Sequence, residues 1–219
     1  MSEIADRYPK RSAHAARTRA AILAAATELF GVNGYAGTTM KAIAVQAGVS
    51  VESVYLVGSK SSLLAAAMTV AFTGQEGDQP LTANPAYAAV FALEDADAAL
   101  DRYVDLVSAS IARSDGLWRT ARAAADVEIE IQRVLSEALE RRRKDIAMAG
   151  PWLVSRGLIL PGEVESAVAT FSVLVSHEVY EHLVEEFGYS VAGYAGWLRT
   201  AIDRLVLDRH LSPTEGKRP

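Results

Sequence analysis

The chain has 219 residues, half of them hydrophobic, and its 22 Lys and Arg against 27 Asp and Glu give a net charge of -5. This length and composition predict a globular protein with room for one larger or two smaller domains. The chain lacks cysteine, which excludes a disulfide framework and thiolate metal sites. No apolar run approaches the roughly 18 to 20 residues of a membrane span, and the N-terminus lacks a signal peptide's apolar core, so we expect a soluble, cytoplasmic protein without a membrane partner.

The first part of the chain is predicted to be a disordered arm followed by a helix. Residues 1–14 are polar, lack periodicity, contain Pro9 and carry several basic groups. A solvated tail is the more ordinary interpretation of such an arm, although its basic side chains could reach DNA phosphates. From about Ala15 to Gly31 an alanine-rich helix is expected, and Asn33-Gly34 should end it. The apolar face of that helix comprises Ile22, Ala26, Leu29 and Phe30.

Two short helices joined by a tight glycine turn are predicted between Thr38 and Lys60. Thr38 and Thr39 can each place a hydroxyl as N-cap on a helix that begins near Met40. Gly48 can adopt the left-handed conformation that ends that helix. Ser50 is placed to cap the second helix. This arrangement is the layout of a DNA-reading helix-turn-helix, although a helical hairpin that only packs is the alternative from pattern alone.

The second helix of this pair has one apolar position and several polar ones. Val54 is expected to face inward, while its neighbours face out and can reach base edges if the helix enters a major groove. Lys60 opens the following helix as a predicted phosphate contact. The predicted DNA-binding residues are Thr39, Lys41, Ser50, Val51, Glu52, Ser53, Tyr55 and Lys60.

The run from Ala20 to about Phe72 resembles the N-terminal domain of TetR-family transcriptional regulators. In that family a first helix ending in F-x-x-x-G-Y/F precedes T-T-x-x-x-I-A-x-x-A-G-V-S, then a Tyr and a Lys. The spacing from Tyr55 to Lys60 is one residue shorter than is usual in the family, with Val57 and Gly58 between them. The matching residues are Phe30, Gly34, Tyr35, Thr38, Thr39, Ile43, Ala44, Ala47, Gly48, Val49, Ser50, Tyr55 and Lys60.

The charge is divided unevenly in a way that agrees with this resemblance. Residues 1–60 hold seven Lys and Arg against four Asp and Glu, whereas residues 61–219 hold 15 basic and 23 acidic groups. The excess of basic charge therefore lies where DNA is expected, as neutralisation of phosphates requires.

The rest of the chain is predicted to be helical throughout. A connecting helix ends near residue 73, and Gly and Pro residues between 74 and 85 mark the one clear boundary. The apolar spacing predicts helices over 95–112 and 115–125, with a third around 131–144. Two longer helices are expected over 163–187 and 191–209, split by Gly188. The predicted domains are a helix-turn-helix domain at 15–73, an effector-binding and dimerisation domain at 85–210, and a disordered tail at 211–219.

No catalytic or metal-binding constellation is evident. His177 and Glu181 share a helix face, but an ordinary hydrogen bond is the preferred interpretation over a metal site. The basic run at 141–144 circles its helix and has acidic neighbours, so a solvated face is preferred to a nucleic-acid contact. Acidic residues at 126, 128 and 130 most resemble a solvated helix start. We therefore predict no enzymatic activity and no cofactor.

The resemblance implies an all-α regulator with an N-terminal three-helix DNA-binding domain and a C-terminal helical domain for ligand binding and dimerisation. Its expected partners are double-stranded DNA, a second copy held through the last two helices, and an unidentified small-molecule effector. By resemblance the protein is a repressor released from a palindromic operator. The alternative is a helical ligand-binding or interaction protein with weakened DNA binding, and the sequence assigns no effector residues. Apolar candidates for such a pocket are Tyr103, Trp118, Trp152 and Phe171, with Arg122 or His177 as polar partners.

Overall fold

The structure, a computed structural model, describes residues 7–77 and 79–208. These residues form eleven α-helices, a few short 3-10 or π turns and no strand, so the all-α prediction is confirmed. The helices are α1 (Arg7–Gly37), α2 (Met40–Ala47), α3 (Val51–Val57), α4 (Lys60–Thr73), α5 (Pro85–Phe91), α6 (Ala96–Ala125), α7 (Ile129–Ala147), α8 (Ala149–Ser155), α9 (Val164–Leu174), α10 (His177–Glu181) and α11 (Val191–Leu205).

The chain folds into two compact units. Of the described residues, 7–77 and 116–137 form the first unit, and 79–115 and 138–208 form the second. Segment 116–137 therefore belongs to the same unit as the N-terminal helices, whereas the domain boundaries expected from the sequence place it with the C-terminal helices. Helices α6 and α7 each contribute residues to both units.

The core of the first unit is built from the apolar face predicted for α1. Ile22, Ala26 and Phe30 are fully buried, together with Ile43 of α2 and Val54 of α3. Three helices thus bury one continuous set of apolar side chains, which is the main favourable term in folding a unit of this size.

The end of α1 is fixed by a glycine and a buried threonine. Gly34 has φ 69° and ψ -178°, so the helix is interrupted there, as Asn33-Gly34 predicted. Thr38 is fully buried, and its hydroxyl lies 3.0 Å from the Leu29 carbonyl oxygen and 2.8 Å from that of Gly34. Thr38 therefore ties the end of α1 and does not cap α2, which is a correction to one of the two cap candidates.

The second unit buries the faces that the apolar spacing predicted for α6 and α11. On α6, Leu100 and Ile111 are among the most buried residues, and on α11 Tyr194, Leu198 and Ile202 are equally buried. Tyr194 also donates from its hydroxyl to the Leu174 carbonyl oxygen at 3.3 Å, which joins α11 to α9.

Helix α6 is continuous where the sequence predicted two helices, over 95–112 and 115–125. Gly116 lies in its interior and does not break it. A glycine inside a helix costs about 1 kcal/mol relative to alanine. The neighbouring Leu117 and Trp118 are buried, and burying one large apolar side chain contributes about 1.5–3 kcal/mol, which exceeds that cost.

The single helix predicted over 163–187 is broken after α9. Ser176 has an extended conformation (φ -88°, ψ 154°), and its hydroxyl oxygen accepts from the Val179 amide at 3.2 Å, so it caps α10. A π-helical turn over His182–Glu186 then precedes Gly188, whose φ is 72°. The Ser-His-Glu sequence at 176–178 is a cap signal that the apolar spacing concealed.

Three predicted segments fall partly or wholly outside the described residues. Helix α1 begins at Arg7, so residues 7–14 of the predicted arm are helical, while residues 1–6 are outside the description. The predicted tail at 211–219 and the last residue of the predicted helix 191–209 are also outside it, and α11 ends at Leu205.

Candidate nucleic-acid interface and ligand cavity

The turn between α2 and α3 has the cap geometry that the sequence predicted. The Thr39 hydroxyl oxygen accepts from the Ala42 amide at 3.0 Å at the start of α2. Gly48 has φ 67°, and the Val49 amide donates to the Ala44 carbonyl oxygen at 3.0 Å, which closes the end of α2. The chain bends by 105° between α2 and α3. This bend lies within the range of about 90 to 120° found in helix-turn-helix units.

Helix α3 has a buried side and an exposed side. Val54 is fully buried, whereas Glu52 and Tyr55 are exposed and Val51 and Ser53 are half-buried. Leu56 is 88% exposed, which makes it the most exposed large apolar side chain among the described residues. Leu56 is not among the predicted DNA-binding residues, although its position next to Tyr55 on a predicted outward face is a signal for it. An apolar side chain on such a face can contact the methyl group of thymine.

The first turn of α3 combines a cap with a fixed negative charge. The Ser50 hydroxyl oxygen accepts from the Ser53 amide at 3.2 Å, and the two serine hydroxyls lie 3.1 Å apart. The Glu52 backbone amide, and next the Ser50 side chain, hold the pKa of the exposed Glu52 carboxyl below its usual value. Glu52 is therefore anionic at neutral pH and can only accept hydrogen bonds.

Two predicted phosphate contacts lie in different surroundings. Lys41 is exposed on α2, whereas Lys60 is half-buried at the start of α4 with its Nζ 4.1 Å from the centre of the Tyr35 ring. Burial lowers the pKa of Lys60, and the nearby Glu128 carboxylate opposes this effect. A contact with an aromatic face orients an ammonium group without using its N–H donors. Lys60 therefore keeps donors for another group.

Gly58 lies in the short connection from α3 to α4, next to the cap of α4. A Cβ atom at residue 58 would lie 2.3 Å from the Ser62 hydroxyl oxygen, which is closer than real Cβ atoms approach. That hydroxyl donates to the Ser59 carbonyl oxygen at 2.9 Å, and the Ser59 hydroxyl oxygen accepts from the Ser62 amide at 3.2 Å. A side chain at residue 58 would therefore require the Ser62 hydroxyl to move out of this cap.

Two side chains from elsewhere in the first unit hold α3 and α4 in place. Arg19 of α1 donates to the Val57 carbonyl oxygen at 3.4 Å and also pairs with Glu76. Glu130 of α7 accepts from the Ser61 hydroxyl at 2.6 Å. Glu130 is exposed in the first turn of α7, as predicted for a solvated acid at a helix start, and in addition it binds a residue 69 positions earlier in the chain.

The second unit contains an apolar cavity with a volume of about 50 Å³. Aromatic rings form much of its wall: the Tyr103 ring centre lies 5.4 Å from that of Phe171, and Phe91 and Trp152 meet edge to face at 6.2 Å. Tyr87 completes the aromatic part, with its ring centre 6.3 Å from that of Tyr103. The cavity draws on α5, α6, α8 and α9 and also on the end of α7.

The residues that line the cavity differ in whether their polar atoms have partners. The Tyr87 hydroxyl donates to the Ser110 hydroxyl oxygen at 3.2 Å, and an Asp145 carboxylate oxygen accepts from the Leu81 amide at 3.0 Å. The indole Nε1 of Trp152 is buried and has no hydrogen-bond partner among the described residues. Burial raises the pKa of Tyr87 to about 12 and raises the pKa of Tyr103 well above its usual value, so both phenols are neutral at physiological pH.

The cavity includes three of the four apolar pocket candidates from the sequence. Tyr103, Trp152 and Phe171 line it, whereas Trp118 lies in the first unit and does not. His177 is also elsewhere, because its Nε2 lies 2.9 Å from the Ser114 hydroxyl oxygen and both residues are buried. Arg122 belongs to the first unit.

The basic run at 141–144 does not form a single stripe. Arg143 and Lys144 are exposed and pair with Glu140 on the same helix. Arg142 is half-buried and donates to the Ser172 carbonyl oxygen on α9. The preferred interpretation of the run as a solvated face is therefore confirmed for two of these residues, and Arg142 has a packing role.

Among residues 7–77 and 79–208, no single helix is long and apolar enough to cross a membrane. Only α2 and α3 taken together pass such a test, and the 105° bend separates them.

Residues 22–67 match the sequence model of the family described as "Bacterial regulatory proteins, tetR family". Among curated proteins, none is similar enough in sequence to count as a match. The matched segment covers most of α1 and all of α2 and α3, and it ends within α4.

Several solved structures share the fold over most of the chain. A protein from Rhodococcus sp. that is assigned to the TetR family superposes with a TM-score of 0.69 at 20% identity, covering 87% of this chain and 99% of its own. A second protein assigned to the TetR family, from Mesorhizobium loti, superposes with a TM-score of 0.65 at 22% identity, covering 87% of this chain and 96% of its own. A protein from Pseudomonas aeruginosa that is assigned as a transcriptional regulator superposes with a TM-score of 0.62 at 18% identity, covering 85% of this chain and 89% of its own.

Proposed function

We propose that this chain, which carries the N-terminal domain of the tetR family of bacterial regulatory proteins and has the fold of TetR-family regulators, is a transcriptional repressor. In this proposal a homodimer binds a palindromic operator in the cytoplasm and leaves it when a small-molecule effector binds. It catalyses no reaction. The observation that carries the proposal is the capped helix pair α2–α3, in which Val54 is fully buried while Glu52, Tyr55 and Leu56 are exposed.

Within this proposal, the residues of the interface have two kinds of role. Thr39, Lys41, Tyr55 and Lys60 contact phosphates and position the unit on any duplex. Ser50 caps α3 and so sets the direction of its first turn. Val51, Glu52 and Ser53 select bases, with the Glu52 carboxylate accepting from the amino group of cytosine.

The proposed dimer interface lies on the last helices of the second unit. TetR-family regulators form dimers, and here Val173 of α9 is 60% exposed and Leu205 of α11 is 62% exposed. Replacing Val173 by Lys should convert a dimer to a monomer in light scattering. Leu160 is similarly exposed but lies outside these helices, so Leu160→Lys is the matched control and should remain dimeric.

The proposed effector acts by a two-state mechanism. Paired helix-turn-helix units fit two half-sites only when their separation matches the groove repeat of about 34 to 36 Å or a multiple of it. A molecule that binds more tightly to a form with another separation shifts the population away from the DNA-competent form. The cavity of the second unit is the proposed effector site.

Selection of bound duplexes from a random pool, followed by salt titration, tests the proposed function. We expect enrichment of a motif with two-fold symmetry and an affinity that falls steeply as salt is raised. A variant with Val51, Glu52 and Ser53 all replaced by Ala is the control, because it should bind DNA without enriching that motif. If the wild-type protein enriches no sequence at low salt, the proposal fails.

A second candidate, a helical ligand-binding protein with weakened DNA binding, is favoured by the exposed, anionic Glu52. A carboxylate on the reading helix is repelled by phosphate unless it accepts from a base. Weak binding to every duplex that becomes strong in Glu52→Gln would support this candidate.

A further inference from the structure

Leu56 lies on the side of α3 that faces away from the core of the first unit. An α-helix turns about 100° per residue, so residues two positions from the fully buried Val54 lie on the opposite side of α3. Those residues are Glu52 and Leu56, and both are exposed, whereas Val51 and Ser53 are half-buried. The outer face of α3 therefore carries one carboxylate and one leucine, which are about one helical turn apart.

Exposure alone does not assign a role to Leu56. Single apolar side chains are common on protein surfaces, and Val32 and Val127 of the same unit are 79% and 83% exposed. Leu56, at 88%, differs from them in its place, because it shares the outer face of α3 with Glu52 and follows Tyr55. In the proposed function this face enters the major groove, so DNA binding would cover the Leu56 side chain.

The chemistry of leucine limits what this side chain can recognise in the groove. A leucine side chain has no hydrogen-bond donor, so it cannot bind a phosphate as Lys41 can. The base edges in the major groove present hydrogen-bonding groups, and the C5 methyl group of thymine is the apolar exception. Placing leucine against a polar edge would remove water from that edge without replacing its hydrogen bonds, which is unfavourable. A leucine on this face therefore favours thymine over the other bases.

We propose that Leu56 is a specificity-determining residue that contacts the C5 methyl group of one thymine in each half-site. This inference rests on the proposed function, since it requires α3 to enter the major groove of an operator. Glu52 and Leu56 are four positions apart on α3, which separates them by about 6 Å along the helix. Base pairs are stacked about 3.4 Å apart, so the thymine read by Leu56 should lie within about three base pairs of the base read by Glu52.

Removal of the thymine methyl group tests this assignment on the purified full-length protein. The motif enriched by the wild-type protein is resynthesised with deoxyuridine in place of thymine, one position of the half-site at a time. Deoxyuridine keeps every hydrogen-bonding group of thymine and lacks only the methyl group. At one position, the change in a single half-site should weaken wild-type binding about fourfold, the effect of one methyl group that is no longer buried. The change in both half-sites should weaken it about 15-fold.

Variants distinguish a methyl contact from a general effect on binding. Leu56→Ala should bind the thymine and deoxyuridine duplexes equally at that position, whereas Leu56→Met keeps an apolar side chain of similar volume and should retain the discrimination. Val127→Ala is the matched control, because Val127 is similarly exposed in the same unit but lies outside α2 and α3. It should discriminate as the wild type does. When cytosine replaces the thymine, methylation of its C5 should restore about fourfold in affinity to wild type and none to Leu56→Ala.

Two results would overturn the role of Leu56 and leave the proposed function intact. One is a wild-type protein that enriches a two-fold symmetric motif in which no deoxyuridine substitution weakens binding, and this result needs no variant. The other is equal discrimination against deoxyuridine in wild type and Leu56→Ala, which would include a loss of affinity that is uniform across duplexes. If the wild-type protein enriches no motif at low salt, the proposed function and the role of Leu56 both fail.

Discussion

The proposed recognition surface, formed by α2 and α3, and the cavity of the second unit are built in opposite ways. Helices α2 and α3 are placed by caps that lie three residues from the groups they bind, Thr39 with Ala42 and Ser50 with Ser53. The cavity is closed by side chains far apart in the chain, such as Tyr103 and Phe171. The first region therefore depends on local backbone geometry and displays polar groups, whereas the second depends on packing and hides them. Substitutions at caps should therefore affect α2 and α3 locally, whereas substitutions at buried side chains should affect packing.

The largest expected effect is loss of the core that supports the recognition surface. Phe30 is fully buried and stacks on Tyr35 at 5.9 Å. Phe30→Ala should lower the free energy of unfolding by about 3–5 kcal/mol, because it removes packing and leaves a cavity. Leu56→Ala, at an exposed position in the same unit, should change it by less than about 0.5 kcal/mol. Denaturant titration measures both free energies of unfolding. Similar decreases in the two variants would contradict the view that burial of Phe30 stabilises the first unit.

The next effect concerns the cavity wall at high pH. In the unfolded chain Tyr87 loses its proton near pH 10, whereas in the folded protein burial raises its pKa to about 12. Between these values the unfolded chain has released a proton that the folded protein keeps, so stability should be intact below pH 10 and fall as the pH rises toward 12. Tyr87→Phe should show a shallower fall in thermal melts between pH 9 and 11.5. Parallel curves for the two proteins would contradict the assignment.

Two similar N-caps, Ser50 of α3 and Ser190 of α11, can distinguish an effect on the geometry of α3 from an effect on overall stability. Ser50 and Ser190 each accept from an amide three residues ahead, at 3.2 and 3.0 Å. Replacing either by Ala should destabilise its helix by about 1 kcal/mol. Only Ser50→Ala should also weaken operator binding, because only Ser50 sets the start of α3. Measuring the free energy of unfolding and the operator affinity of both variants checks this prediction. Equal losses of affinity in the two variants would show that Ser50 acts through overall stability and not through the start of α3.

The smallest effect is a change in salt dependence. Lys41 is exposed on α2, and Lys41→Gln should weaken binding to all duplexes alike. It should also reduce the slope of log affinity against log salt by about 0.9 for each phosphate that the protein no longer neutralises. Lys144→Gln, an exposed lysine of the second unit, is the control and should leave the slope unchanged. A sequence-dependent loss in Lys41→Gln would indicate that Lys41 binds a base.

The geometry of the α2–α3 pair could be predicted because its signals are local. The cap at Ser50, the left-handed Gly48 and the inward Val54 each follow from residue type and spacing over a few positions. Thr38 was assigned wrongly because two adjacent threonines are equivalent as cap candidates, and only burial against the end of α1 distinguishes them.

The rest of the structure depends on long-range packing that spacing does not encode. Packing of the flanking residues kept α6 continuous through Gly116, and the apolar pattern over 163–187 concealed the cap at Ser176. The hydrogen bond between Glu130 and Ser61 joins residues 69 positions apart. The unpartnered indole of Trp152 likewise became visible only once the helices around it were in place.

The claim that the exposed face of α3 reads bases is tested most directly by comparing the motifs enriched by wild type and by Glu52→Ala. We predict that wild type enriches a two-fold symmetric motif and that Glu52→Ala retains its spacing but loses preference at one base pair in each half-site. Glu52→Ala should also bind unrelated duplexes more tightly, because a negative charge has been removed near phosphate. Identical motifs from the two proteins would contradict the base-reading role of Glu52.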